Sequence, residues 1–170
     1  SIQSFLTWAQ ILATFFGLML IWVIYAGNVM RFSWTPNISD SLYPFLVGVM
    51  EFWAVEAIGV STIGYWLLAM GGIFAVMTTI SQLTMRSARA DAENSEFFKE
   101  RSPASLIDFV PQIIIVGIFL GTGITLIAYE MNLYVSTAIM LLSLTFITWQ
   151  FKSTVNFWEA SIGSLDKEDT

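Results

Sequence analysis

The 170-residue sequence contains no cysteine and no histidine. Without thiols there are no disulfides, thiolate metal sites, thioester nucleophiles or iron–sulfur ligands. Without imidazole the usual haem ligand, the commonest copper and zinc ligand and the usual general base are missing as well. No cofactor and no metal site is therefore expected. Charge is scarce too: 12% of the residues carry one, against roughly a quarter in soluble domains. With seven basic and 13 acidic residues the net charge is −6, which lacks the basic footprint that nucleic acid requires.

What fills the chain instead is apolar. Hydrophobic residues make up 56% and the mean hydropathy is +0.70, so the chain cannot cover a water-facing surface. The expectation is an all-α polytopic integral membrane protein, one transmembrane domain over 1–170 with no room for a separate soluble domain. The opening SIQSFLTWAQ lacks a basic n-region, so no cleavable signal is expected. Ser1 reads as the residue left by removal of an initiator methionine.

A bilayer core of about 30 Å needs about 20 apolar residues as helix. Four stretches meet this: 5–27, 65–83, 106–129 and 133–151. The first places Trp8 near one end and Trp22 and Tyr25 near the other, the spacing of an aromatic belt. A fifth stretch, 42–60, is apolar but contains Glu51 and Glu56. Each acid placed centrally would cost about 2.5–3.5 kcal/mol on insertion scales. If 42–60 spans, the bundle has five transmembrane helices. If it lies in the interface or dips in and returns, the bundle has four. Pro36 and the sequence SDS at 39–41 mark the end of the preceding loop, with a helix cap at Asp40 or Ser41.

The stretch 84–104 is the strongly charged connection and holds four of the seven Lys and Arg residues. The positive-inside rule places it on the cytoplasmic side. Ser105 and Asp108 form a capping-box pattern and Pro111 fits the first turns of the next helix. The tip EMN carries no basic residue, whereas Lys152 and the acidic tail over 153–170 return to the cytoplasmic side. Within 84–104, Arg89 and Glu93 are spaced as an attractive helical pair and Glu96 and Glu100 as a repulsive one. A short surface helix is expected there, with Phe97 and Phe98 anchored in the interface, docked on a partner, or simply on a solvated face.

Glu51 and Glu56 are the ion or proton candidates. Five residues turn a helix through about 500°, so the two side chains sit about 140° apart and cannot share one narrow face. An intramembrane acid needs a partner, water or a proton, and protein neighbours are the first expectation. Asp108 and Glu130 bracket a span and read as solvated end residues. Small residues four apart at Ala13 and Gly17, and at Gly117 and Gly121 with Gly123 close behind, are candidate helix-packing positions. Ser136, Thr137, Ser143, Thr145 and Thr148 read as hydroxyls that bond back to their own helix or across to another. The glycines of AMGGIF and GTG lack the lysine of a phosphate loop. The NIS sequon at Asn37 is a frequent chance match.

Three function classes follow. The first is a non-catalytic accessory subunit of a larger membrane complex, in contact with other membrane-protein subunits and lipids. It is favoured by the missing catalytic residue types and by seven Trp and 14 Phe, which supply inflexible contact area. The second is a small oligomeric channel or proton- or cation-coupled transporter using Glu51 or Glu56. The third is a lipid-acting enzyme, for which no Arg or Lys clamp accompanies the acids.

Overall fold

A computed structural model describes residues 1–33, 35, 38–99, 109–129 and 132–162. Six helices run in the order α1 (Ile2–Arg31), α2 (Ile38–Glu56), α3 (Ile63–Ala90), α4 (Ser95–Lys99), α5 (Val110–Ala128) and α6 (Leu133–Ile162), with a 3₁₀ turn at Ala92–Asn94. There is no strand among the described residues. By length and composition α1, α3, α5 and α6 can each cross a membrane. The chain is a helical, multi-pass membrane protein.

Local chemistry sets the helix ends. Ser1 Oγ accepts from Ser4 N at 3.3 Å and opens α1. Asn132 Oδ1 accepts from the Tyr134 and Val135 amides at 3.0 and 3.2 Å and caps α6. Pro111 is the second residue of α5, where a missing N–H is harmless. Ser105 and Asp108, the expected capping box, lie outside the described residues, as do Asn37 and Glu130. Helix α2 begins at Ile38, so Asp40 sits in its first turn and is not its cap. Helices α3 and α6 outrun the apolar stretches 65–83 and 133–151. The added turns of α6 reach into the expected acidic tail, because Trp158 packs on Gly27 and Phe157 on Phe32.

The helix directions bear on 42–60. Trp66 of α3 donates to Thr14 of α1, Met70 lies over Gly17, and Asn94, just past α3, bonds Ser33, just past α1. These contacts rise together along both helices, so α1 and α3 are parallel. Ile147 at Gly17 and Trp158 at Gly27 make α6 parallel to them. Gly64 against Gly123 and Gly71 against Phe119 make α5 antiparallel to α3. A four-span chain with 42–60 lying flat would leave α1 and α3 antiparallel. Because they are parallel, α2 carries the chain back over the height of the bundle, although Asp40, Glu51 and Glu56 keep it out of the four apolar helices.

Helix α3 is the hub. Trp66, Leu67, Met70 and Ile73 are fully buried, together with Leu6 and Ala13 of α1, Phe119 of α5 and Met140 of α6. Phe74 meets Phe119 and Phe146 edge-on, with ring centres 6.0 and 5.4 Å apart, the arrangement that aromatic quadrupoles favour. Half of the most apolar stretch of α3 (50%) is buried, against 17% in α5. Helix α5 is thus a peripheral helix held by one side.

A second cluster closes the end of the bundle where α1 and α3 finish. Phe32, Ala88 and Phe97 are buried together, and Phe98 stacks on Phe32 at 5.6 Å. Arg31 lies over the Phe32 and Phe97 rings and Arg89 over Phe98, each within 5.4 Å, in the range of cation–π attraction. Asn94 Oδ1 accepts from Ser33 N, and its Nδ2 donates to Ser33 O and Ala88 O. Phe97 is therefore docked on its own chain. The helical pairing of Arg89 with Glu93 is lost because α3 ends at Ala90, and Glu96 pairs with Lys99.

Candidate functional site

Helix α2 leans on α3 through Val47 and Ala54, both buried, and through Met50, which packs at Gly72. Its contact with α1 is slight, and a cleft of about 340 Å³ remains between the three helices. The wall from α2 is a stripe at 40, 43, 44, 47, 48 and 51. Eleven residues turn a helix through about 1,100°, so Asp40 and Glu51 lie within about 20° of one another and about 16 Å apart along the axis. The two acids thus stand at opposite ends of the α2 wall of the cleft.

From α1 come Trp22, Tyr25 and Asn28, and from α3 come Met77, Ser81 and Thr84. Trp22 and Tyr25 meet edge-on at 6.1 Å and both stay largely exposed on the outer side. No Lys or Arg lines the cleft among the described residues. Glu51 is half-buried, and its Oε1 is buried with no hydrogen-bond partner among the described residues. The expected neutralising neighbour is thus not supplied to that oxygen by the described part of this chain. Glu56 is different: it is the last residue of α2, exposed, and outside the cleft.

The packing candidates divide. Ala13 is fully buried. Gly17 is buried where Met70 would lie 3.1 Å from an added Cβ, and Gly123 is buried where the Gly64 carbonyl would lie at 2.9 Å. Gly117 and Gly121 have nothing within 4 Å of such a Cβ. They open outward on α5, beside exposed Ile113, Ile114, Ile118 and Ile124. The sequence reading missed Gly27, Gly64 and Gly71, which sit against Trp158, Gly123 and Leu120. Gly27 and Gly64 have no small residue four positions away to give them a signal, whereas Gly71 has Ala75 and could have been found by the same spacing.

Gln10 and the Trp66–Thr14 bond gave no signal in the sequence, and Ser136 differs from its expected reading. Gln10 is fully buried in α1; its Oε1 accepts the Gly59 amide at 3.1 Å and ties down the turn between α2 and α3. Trp66 Nε1 donates to Thr14 Oγ1 at 2.8 Å in the core. Thr137, Ser143, Thr145 and Thr148 bond back to carbonyls four residues earlier, as expected. Ser136 Oγ, by contrast, is buried without a partner among the described residues. No three acidic residues gather into a metal cage among the described residues. Comparison with protein-family models, curated proteins and solved structures finds no match, so function has to be argued from these side chains alone.

Proposed function

We propose that this chain is a non-catalytic integral membrane subunit that packs against other membrane proteins in a larger complex. The observation that carries the reading is the outward face of α5. Gly117 and Gly121 leave a shallow groove between exposed isoleucines, and none of the described residues comes within 4 Å of a Cβ added at either. In lipid, where helices gain no hydrophobic drive from association, such a groove favours the close approach of another helix. In this reading α2 is the fifth crossing, and loop 84–104 with the end of α6 lies on the cytoplasmic side.

Gly117→Leu and Gly121→Leu fill the groove without touching this chain's own core. Gentle-detergent purification with mass identification of co-eluting proteins should find partners with the wild type. Both variants should lose them while keeping the same melting temperature. A chain that purifies alone and still moves ions in liposomes overturns the reading.

A second reading is favoured by Glu51, whose buried oxygen faces a cleft with no partner among the described residues. There the protein is a cation- or proton-coupled carrier acting as an oligomer. Glu51→Gln would abolish its flux, whereas a structural subunit would remain assembled.

A further inference from the structure

We propose that the cleft between α1, α2 and α3 binds a lipid-soluble organic monocation, an alkyl- or aryl-ammonium, with Glu51 as its counter-ion. The inference rests on the cleft alone and on neither partner proteins nor transport.

Size is the first consideration. About 340 Å³ lies at the lower end of the roughly 300–1,000 Å³ typical of small-ligand pockets. Much of the wall is apolar, from Ile21 and Ile24 to Met77 and Ile80, and suits a hydrocarbon body. Charge comes second. Glu51 turns a buried, unpartnered carboxylate oxygen to the cleft, and no Lys or Arg is among its lining residues in the described part of the chain. An anion would meet the Glu51 carboxylate, and a neutral chain would leave its buried oxygen as it is. A hard divalent ion needs about six oxygens around it, whereas Glu51 alone offers a buried carboxylate oxygen here. A single positive charge on an apolar body satisfies both features.

The aromatic rings are the third. Trp22, Tyr25 and Tyr43 line the same cleft, and their faces attract an ammonium, most strongly when it is desolvated. The exposed outer sides of Trp22 and Tyr25 put the entrance beside the lipid, where an amphiphilic cation concentrates.

The test is calorimetric titration of the full chain in detergent with benzyltrimethylammonium, and with benzyl alcohol as the neutral control. The wild type should bind the cation saturably and benzyl alcohol at least tenfold more weakly. Glu51→Gln should weaken cation binding tenfold or more. Gly48→Phe should do the same by filling the cleft, and because nothing lies within 4 Å of a Cβ at Gly48, it leaves the fold intact. Glu56→Gln should bind as the wild type does. No saturable binding by the wild type, equal binding of benzyl alcohol, or undiminished binding by Gly48→Phe overturns the proposal.

Discussion

Helices α3 and α5 cross closely at a pair of facing glycines, Gly64 and Gly123, and replacing them makes a quantitative test. A methyl group on Gly123 would stand 2.9 Å from the Gly64 carbonyl oxygen and 3.0 Å from Leu68 Cδ2; one on Gly64 would stand 2.9 Å from the Gly123 carbonyl and 2.8 Å from Ile127 Cγ1. Ordinary contact begins near 3.4 Å, and a backbone carbonyl cannot swing aside. Helices α3 and α5 must therefore part by about 0.5 Å. A gap of that size forfeits about a quarter of each dispersion contact, and a contact is worth about 0.1–0.2 kcal/mol. Spread over the Gly71–Leu120 and Phe74–Phe119 layers, the loss reaches about 1–3 kcal/mol, the usual range for an overfilled core. Gly123→Ala and Gly64→Ala should each lower stability by that amount in reversible unfolding in mixed micelles. The double variant should lose little more than either single one, because the first methyl already opens the space for the second. Gly117→Ala and Gly121→Ala, with open space around them, should be neutral or should gain up to about 1 kcal/mol from helix propensity. If Gly121→Ala destabilises as much as Gly123→Ala, the assignment of the crossing is wrong.

Three other consequences are testable. Trp66→Phe strands the Thr14 hydroxyl in the core and should lose about 1–3 kcal/mol; adding Thr14→Val should recover part of it, and a double variant no better than the single one would refute the bond's role. The chain lacks cysteine, so single Ser4→Cys, Ser61→Cys and Ser95→Cys variants can be labelled with an impermeant maleimide. Positions 4 and 61 should react from one side of the membrane and 95 from the other, whereas a flat α2 puts 4 with 95 and leaves 61 on the opposite side. Asn94→Ala removes three hydrogen bonds to Ser33 and Ala88 and should speed hydrogen exchange and proteolysis over 91–99. The α3–α5 core should keep its protection, and a uniform loss across the bundle would show that the latch is not local.

The residues differ in how much the sequence disclosed about them. Apolar runs long enough to span announced four helices, because burial in lipid requires only length and hydrophobicity. The threonine back-bonds of α6 were equally legible, since each is made within one helix turn. The small-residue spacing was not a reliable guide to contact: Gly117 and Gly121 fit the pattern and face outward, while Gly64, which lacks it, meets Gly123. Spacing specifies a flat face on one helix and says nothing about which helix arrives. For Phe97 and Phe98 the sequence left an interface anchor, a partner contact and a solvated face all open, because their neighbour, Phe32, is more than 60 residues away in the chain. The shared face of Asp40 and Glu51 is legible in their eleven-residue separation, whereas the two acids nearest one another, Glu51 and Glu56, point apart.

By itself the sequence determined the solvent this protein folds in, the helical class and the absence of thiol and imidazole chemistry, all properties that add up residue by residue. The tertiary structure alone decided that α1 and α3 run parallel, that α2 must therefore return between them, and that Glu51 lines a cleft while Glu56 is exposed outside it. Those outcomes depend on which helix packs on which, through backbone approaches such as Gly64 to Gly123 and single bonds such as Trp66 to Thr14. Such contacts join distant parts of the chain, and no local pattern encodes them.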